Sequence, residues 1–132
     1  MILPVHVLIT TSKSSSILQT LVPMDTKTVS NIKFLQLNTD KSLASTLNIL
    51  QLAADTRVDV LCLQEPYFYV NHTYENEKRY IPPDQFQFNC FYVNNSERPL
   101  AAVFVKKSIK AFMVSNMSTS HCVTVTVLTR RH

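Results

Sequence analysis

Two short apolar runs decide the fold: Ile32-Lys33-Phe34-Leu35-Gln36-Leu37 and Val58-Asp59-Val60-Leu61-Cys62-Leu63. The first reads as a strand broken by Asn38-Thr39-Asp40. The second is almost continuously apolar, as expected of a strand buried on both faces. Between them, Leu43, Leu47, Leu50 and Ala54 recur at steps of four, three and four. That spacing draws one apolar stripe on a helix from about Lys41 to Asp55, widened by Ile49 and Leu52 and capped by Asp40 or Thr39. Strand, helix and strand at this spacing make a β-α-β unit, whose two strands run parallel.

Outward from this unit the pattern changes. From Tyr67 to Gln85 the chain is polar and aromatic and reads as a long loop. Four strand candidates follow: Phe86–Val93, Leu100–Lys106, Ala111–Val114 and Cys122–Leu128. The first two are separated by the turn cluster Asn94-Asn95-Ser96-Glu97. Val123-Thr124-Val125-Thr126-Val127 alternates most cleanly, with one face for a core and one for water. Residues 1–31 are Ser- and Thr-rich without a sustained period, and read as a poorly ordered extension or a short strand of unclear placement.

Composition bounds the chemistry. The 132 residues contain no glycine, against roughly nine expected at average usage of about 7%. Glycine-dependent dinucleotide turns and phosphate loops are therefore excluded. The formal charge of +4 permits a polyanionic partner without demanding one. Cys62, Cys90 and Cys122 are odd in number, lack CxxC spacing and fall in apolar runs, which reads as buried reduced thiols in an intracellular protein. No apolar run approaches the roughly 20 residues that span a bilayer, so no membrane partner is expected. Sequons at Asn71, Asn94 and Asn116 would matter only in a secreted chain.

The polar groups of interest stand where the two best strands end. Asn38 closes the first, and Gln64-Glu65 closes the second. In a parallel pair both ends emerge on one edge of the sheet, the edge where α/β proteins place ligands. A carboxylate there can hold a hard divalent cation, and an amide can orient a phosphate oxygen beside it. Read for structure alone, Asn38 is a turn residue and Glu65 a solvated strand end.

The local sequences Leu35-Gln36-Leu37-Asn38-Thr39-Asp40-Lys41-Ser42 and Leu61-Cys62-Leu63-Gln64-Glu65-Pro66-Tyr67 resemble the endonuclease domain of non-LTR retrotransposons. That domain belongs to the endonuclease/exonuclease/phosphatase family. Arg98-Pro99-Leu100-Ala101-Ala102-Val103-Phe104-Val105 and His121-Cys122-Val123-Thr124-Val125-Thr126-Val127 look like later strands of the same domain. The resemblance covers roughly residues 32–128. It implies an α/β fold, part (about half) of a two-sheet sandwich, with 1–31 an N-terminal extension and 32–132 a truncated domain. It also implies Mg²⁺-dependent phosphodiester cleavage, with DNA as partner and the nucleus as location if the protein functions. Glu65 would be a catalytic metal ligand, and Asn38 a catalytic group of the metal or phosphate shell.

The departures from that pattern bear on activity. The family's D-x-N strand end and its late Ser-Asp-His are missing, and no aspartate follows Asp84. Tyr80-Ile81-Pro82-Pro83 imitates a Tyr-x-Pro block but precedes the Ala101–Val105 strand, and reads as loop. Ser120-His121 and His132 read as non-catalytic. One carboxylate with one amide is a weak Mg²⁺ site. The chain alone is therefore expected to cut little, whether it counts as an enzyme stays open, and the missing second half of the domain is a candidate partner, since a half-sandwich should expose an apolar face. The alternative is a non-enzymatic nucleic-acid- or protein-binding remnant. It would use Lys106, Lys107, Lys110, Arg130 and Arg131 with exposed aromatics at Tyr67, Phe68 and Tyr69. An unrelated phosphatase of the same superfamily is a third reading, disfavoured by the Leu-Gln-Glu-Pro-Tyr block.

Overall fold

The computed structural model describes residues 2–11, 16–21, 32–72, 77–83 and 87–130. Leu35, Leu37 and the run Val60–Gln64 build the parallel pair expected from the sequence: β3 (Phe34–Asn38) lies beside β4 (Val60–Gln64), joined by helix α1 (Leu43–Asp55). Every residue of β4 is buried, which fits its apolar run. β8 (Ala101–Lys106) pairs antiparallel with the other side of β4, and β7 (Phe88–Phe91) completes a sheet of order β3-β4-β8-β7.

The helix departs from its sequence reading at its start. Asp40 and Lys41 have φ of 51° and 57°, a left-handed pair that cannot belong to a right-handed helix. The cap is therefore Ser42, in extended geometry, whose Oγ accepts from the Ser45 N–H. The buried stripe is Thr46, Ile49, Leu50 and Ala53, rotated from the expected one, and Leu52 is exposed. At the far end Arg57, with φ of 58°, closes a Schellman motif: Val58 N–H donates to Ala53 O and Arg57 N–H to Ala54 O.

A second sheet has order β2-β1-β10-β9, made of β1 (Ile2–Thr11), β2 (Ser16–Leu21), β9 (Ala111–Met113) and β10 (Cys122–Arg130). β1 pairs antiparallel with β10 over nine residues, from Ile2 opposite Arg130 to Thr10 opposite Cys122. Two strands thus fall within residues 1–31, the segment expected as an extension; residues 12–15 and 22–31 lie outside the described residues. Alternate positions Val123, Val125 and Val127 of β10 join Val7 of β1 in one core with Val60, Cys62, Ala101, Val103 and Val105 of the first sheet. This second sheet covers the face of β4 and β8 that a half-sandwich was expected to expose. The opposite face of those strands packs against α1 through Leu61, Leu63, Phe104 and Leu50, with Phe68, Tyr80 and Phe88.

The segment 67–85, read as a long loop, instead contains a hairpin. β5 (Tyr69–His72) pairs antiparallel with β6 (Lys78–Ile81). Tyr80, read as loop, is buried on β6, and its carbonyl accepts from the Tyr92 hydroxyl. The protein is a mixed α/β molecule, mostly strands, with one α-helix among the described residues.

Candidate functional site

Parallel pairing sets Asn38 in register with Gln64, so Asn38 and Glu65 emerge from neighbouring strand ends on one sheet edge. The connection is fixed by backbone. Thr39 N–H donates to Gln64 O at 3.0 Å and Lys41 N–H to Glu65 O at 2.7 Å, and the Thr39 hydroxyl also donates to Glu65 O at 2.9 Å. Glu65 N–H reaches across to Leu100 O at 2.8 Å. Glu65 itself has φ of 49°, a region that disfavours residues with a Cβ. Its backbone is therefore gripped from both sides in a conformation that needs such a grip.

Below the corner lies a hydroxyl relay. Thr46 Oγ1 contacts Thr39 Oγ1 at 3.2 Å and Ser42 O at 2.8 Å, and it accepts from Tyr67 N–H at 3.0 Å. Thr39 and Thr46 are both buried. Asn38 and Asp40 are exposed and Glu65 is half-buried, so a polyanion could approach these side chains from solvent. Asn38 Oδ1 accepts from Asp40 N–H at 2.8 Å, which orients the amide and leaves one lone pair of that oxygen.

The start of β8 brings a second acidic group to this edge. Leu100 N–H donates to Ser120 O, and the buried Ser120 hydroxyl donates to Glu97 at 2.7 Å. His121 is exposed in the turn before β10, its N–H donating to Thr119 Oγ1. His132 lies outside the described residues. By sequence, Ser120 reads only as half of a defective Ser-His block. The bond to Glu97 had no local signal, because the partners are 23 residues apart.

The donors at the corner, a carboxylate and an amide oxygen, suit a hard cation such as Mg²⁺, which keeps several waters and shares substrate phosphates. Among the described residues no three His, Cys, Asp or Glu side chains gather closely enough to hold an ion. The corner by itself thus offers one carboxylate and one amide oxygen, fewer protein donors than a hard cation takes without water or a phosphate group.

The basic and aromatic groups of the alternative reading do not coincide. Lys106 and Lys107 line a groove of about 340 Å³ with Gln87 and Ser108, at the opposite end of β8 from Ala101. Six strand residues at ~3.3 Å each put them about 20 Å from the corner. Phe68 is buried rather than exposed, while Tyr69 is exposed and Tyr67 half-buried. Lys110 is exposed, Arg130 ends β10, and Arg131 lies outside the described residues.

The thiols are free. Cys62 is buried in the core between the sheets, where desolvation pushes its pKa up to about 12; burial also pushes Cys90 and Cys122 up. Such thiols are poor nucleophiles. Compared with protein-family models, with curated proteins and with solved structures, the chain matches none.

Proposed function

We propose that the chain carries the N-terminal part of an endonuclease/exonuclease/phosphatase sandwich of the non-LTR retrotransposon type, acting on the phosphodiester backbone of DNA with Mg²⁺. The observation that supports this most is that Asn38, in register with Gln64, and Glu65, the next residue, leave neighbouring parallel strand ends on one sheet edge, beside the left-handed pair Asp40-Lys41. Glu65 would hold the ion through its carboxylate, and Asn38 would hold a phosphate oxygen or complete the ion's shell. Bound there, Mg²⁺ supplies neutralisation of phosphate charge and stabilisation of the leaving oxygen. The chain's own contribution is positional: the Glu65 backbone is clamped by Lys41, Thr39 and Leu100, which fixes the point from which the carboxylate reaches out. The Ser-Asp-His block that the resemblance would call on to ready water is missing from the sequence, so the chain alone is expected to nick DNA little or not at all.

A second reading, a nucleic-acid-binding module without cleavage, is favoured by the two-donor thinness of the corner. One experiment separates them. With the full chain, supercoiled plasmid stays largely uncut under either reading, while 5 mM Mg²⁺ tightens binding of a duplex oligonucleotide relative to EDTA only if the corner holds the ion. Glu65→Gln abolishes that Mg²⁺ effect under the endonuclease reading. Binding indifferent to Mg²⁺, or a Mg²⁺ effect untouched by Glu65→Gln, contradicts it and leaves the module.

A further inference from the structure

The β5–β6 hairpin carries a surface that the corner does not use. Residues two apart on a strand share a face, so Tyr69 opposite Ile81 and Asn71 opposite Arg79 lie on one side of the hairpin. Tyr80, on the other side, is buried under the Arg98 guanidinium, 5.2 Å from the ring centroid. The first side faces solvent, with Tyr69 44% exposed and Ile81 41% exposed; on Tyr80's side Val70, His72 and Lys78 are exposed as well. Tyr69 is also held in place, because Tyr67 meets its ring edge-on at 5.2 Å with an interplanar angle of 85°.

At the hairpin is an open polar groove of about 300 Å³, lined by Glu77, Lys78 and Arg79 and by Asn94, Asn95 and Ser96 of the turn after β7; Arg79 lies on Tyr69's side of the hairpin and Lys78, opposite His72, on Tyr80's. Asn95 Oδ1 is taken up by Glu97 N–H at 2.8 Å, so the donors of its amide are the groups left for a ligand. Two cations, amide donors and a hydroxyl in one concavity suit a phosphate group. The hairpin is tied to the corner through Arg98, which donates to Phe68 O, stacks on Tyr80 and precedes the Leu100 that binds Glu65 N–H.

We infer that this hairpin binds an unpaired nucleic-acid strand, with a base stacked on Tyr69 and its neighbouring phosphates held by Arg79 and Lys78 against Asn94–Ser96. An exposed, braced aromatic next to a cationic groove is the combination that single strands require. A duplex keeps its bases stacked inside and has no use for Tyr69, and an acidic peptide would need the cations alone. The inference deepens the reading of the corner by naming the substrate form: a duplex with an unpaired flank, or an exposed single strand. Glu77, which lines the same groove, works against the bound phosphate.

The test is anisotropy of fluorescein-labelled dT15 with the full chain in EDTA, where the corner's ion plays no part. Tyr69→Ala should weaken binding about tenfold and Tyr69→Phe should not. The double variant Lys78→Ala/Arg79→Ala should lower the slope of log Kd against log salt by about 1.4, at ~0.7 per phosphate on a single strand. Glu77→Gln should tighten binding, and Lys107→Ala should change it little. The inference is overturned if the Tyr69 and Lys78/Arg79 variants bind as the parent does, if Lys107→Ala weakens binding as much as they do, if a 15-base-pair duplex binds as tightly as dT15, or if a decaglutamate peptide displaces dT15 as well as unlabelled dT15 does. Hairpin variants that bind normally, alongside a Mg²⁺ effect lost in Glu65→Gln, sink the hairpin proposal alone. Hairpin effects in EDTA without any Glu65-dependent Mg²⁺ effect sink the endonuclease reading alone.

Discussion

Among the described residues four, Asp40, Lys41, Arg57 and Glu65, hold left-handed backbone that glycine would adopt at no steric cost. A chain without glycine has to fill such positions with something else, and three of the four flank the candidate site. At Glu65 the strain is retained where a smaller residue would relieve it, which is how functional side chains often sit. Glu65→Gly should therefore leave stability unchanged or raise it by up to about 1 kcal/mol, the relief of ~1–2 kcal/mol being offset by the flexibility glycine adds to the unfolded chain. Glu65→Val, β-branched in the same conformation, should lower it by about 1–3 kcal/mol. Urea unfolding checks both. A marked loss in Glu65→Gly would mean that the side chain holds the corner together, and that its place is structural.

At the scale of elements, the β-α-β unit and the strands β8 and β10 were legible because their periods are unbroken: Val60 through Leu63 run apolar, and Val123 through Val127 alternate. The helix start was misplaced because Asp40, a good cap by residue type, is in fact the first of two left-handed residues, a matter of φ that composition does not reveal. The hairpin is not legible because β6 has one buried position, Tyr80, in a run of four residues, Lys78-Arg79-Tyr80-Ile81, that Pro82-Pro83 ends before any period shows. That Asn38 and Glu65 leave neighbouring strand ends was legible from the two apolar runs, and their reading as a site rests on the resemblance, whereas the Ser120–Glu97 bond and the Leu100 contact depend on β8 lying beside β4. The Schellman closure of α1 yields its own prediction. Arg57 stands at the position that prefers glycine, so Arg57→Gly should stabilise the protein by about 0.5–1 kcal/mol, seen as a raised urea midpoint with unchanged slope. A lowered midpoint would show that the Arg57 side chain makes a contribution larger than the strain it incurs.

For the whole molecule, the core between the two sheets joins positions more than a hundred residues apart, Val7 with Val127, and no local pattern could have announced it. Cys62 lies in that core and reports on its integrity. Its thiol is raised from 9.0 to about 12 by burial, so the folded state holds the proton more tightly than the unfolded chain does. The resulting stability is fully present below pH 9 and is lost as pH rises from about 9 to about 12. Urea midpoints at pH 8 and pH 10.5 should show this decline, and Cys62→Ala should make it shallower. An unchanged alkaline slope in Cys62→Ala would mean that water reaches Cys62 and that the sheets do not seal against one another.

We propose that the edge where β3 and β4 end holds a hard cation through Glu65 beside Asn38. It is tested most directly by titrating Mn²⁺, as a paramagnetic stand-in for Mg²⁺, into the ¹⁵N-labelled chain. Selective broadening of the Asn38, Thr39, Lys41 and Glu65 amides, reversed by excess Mg²⁺ and absent in Glu65→Gln, is the predicted result. Broadening centred elsewhere, or broadening at the corner that survives Glu65→Gln, would contradict it.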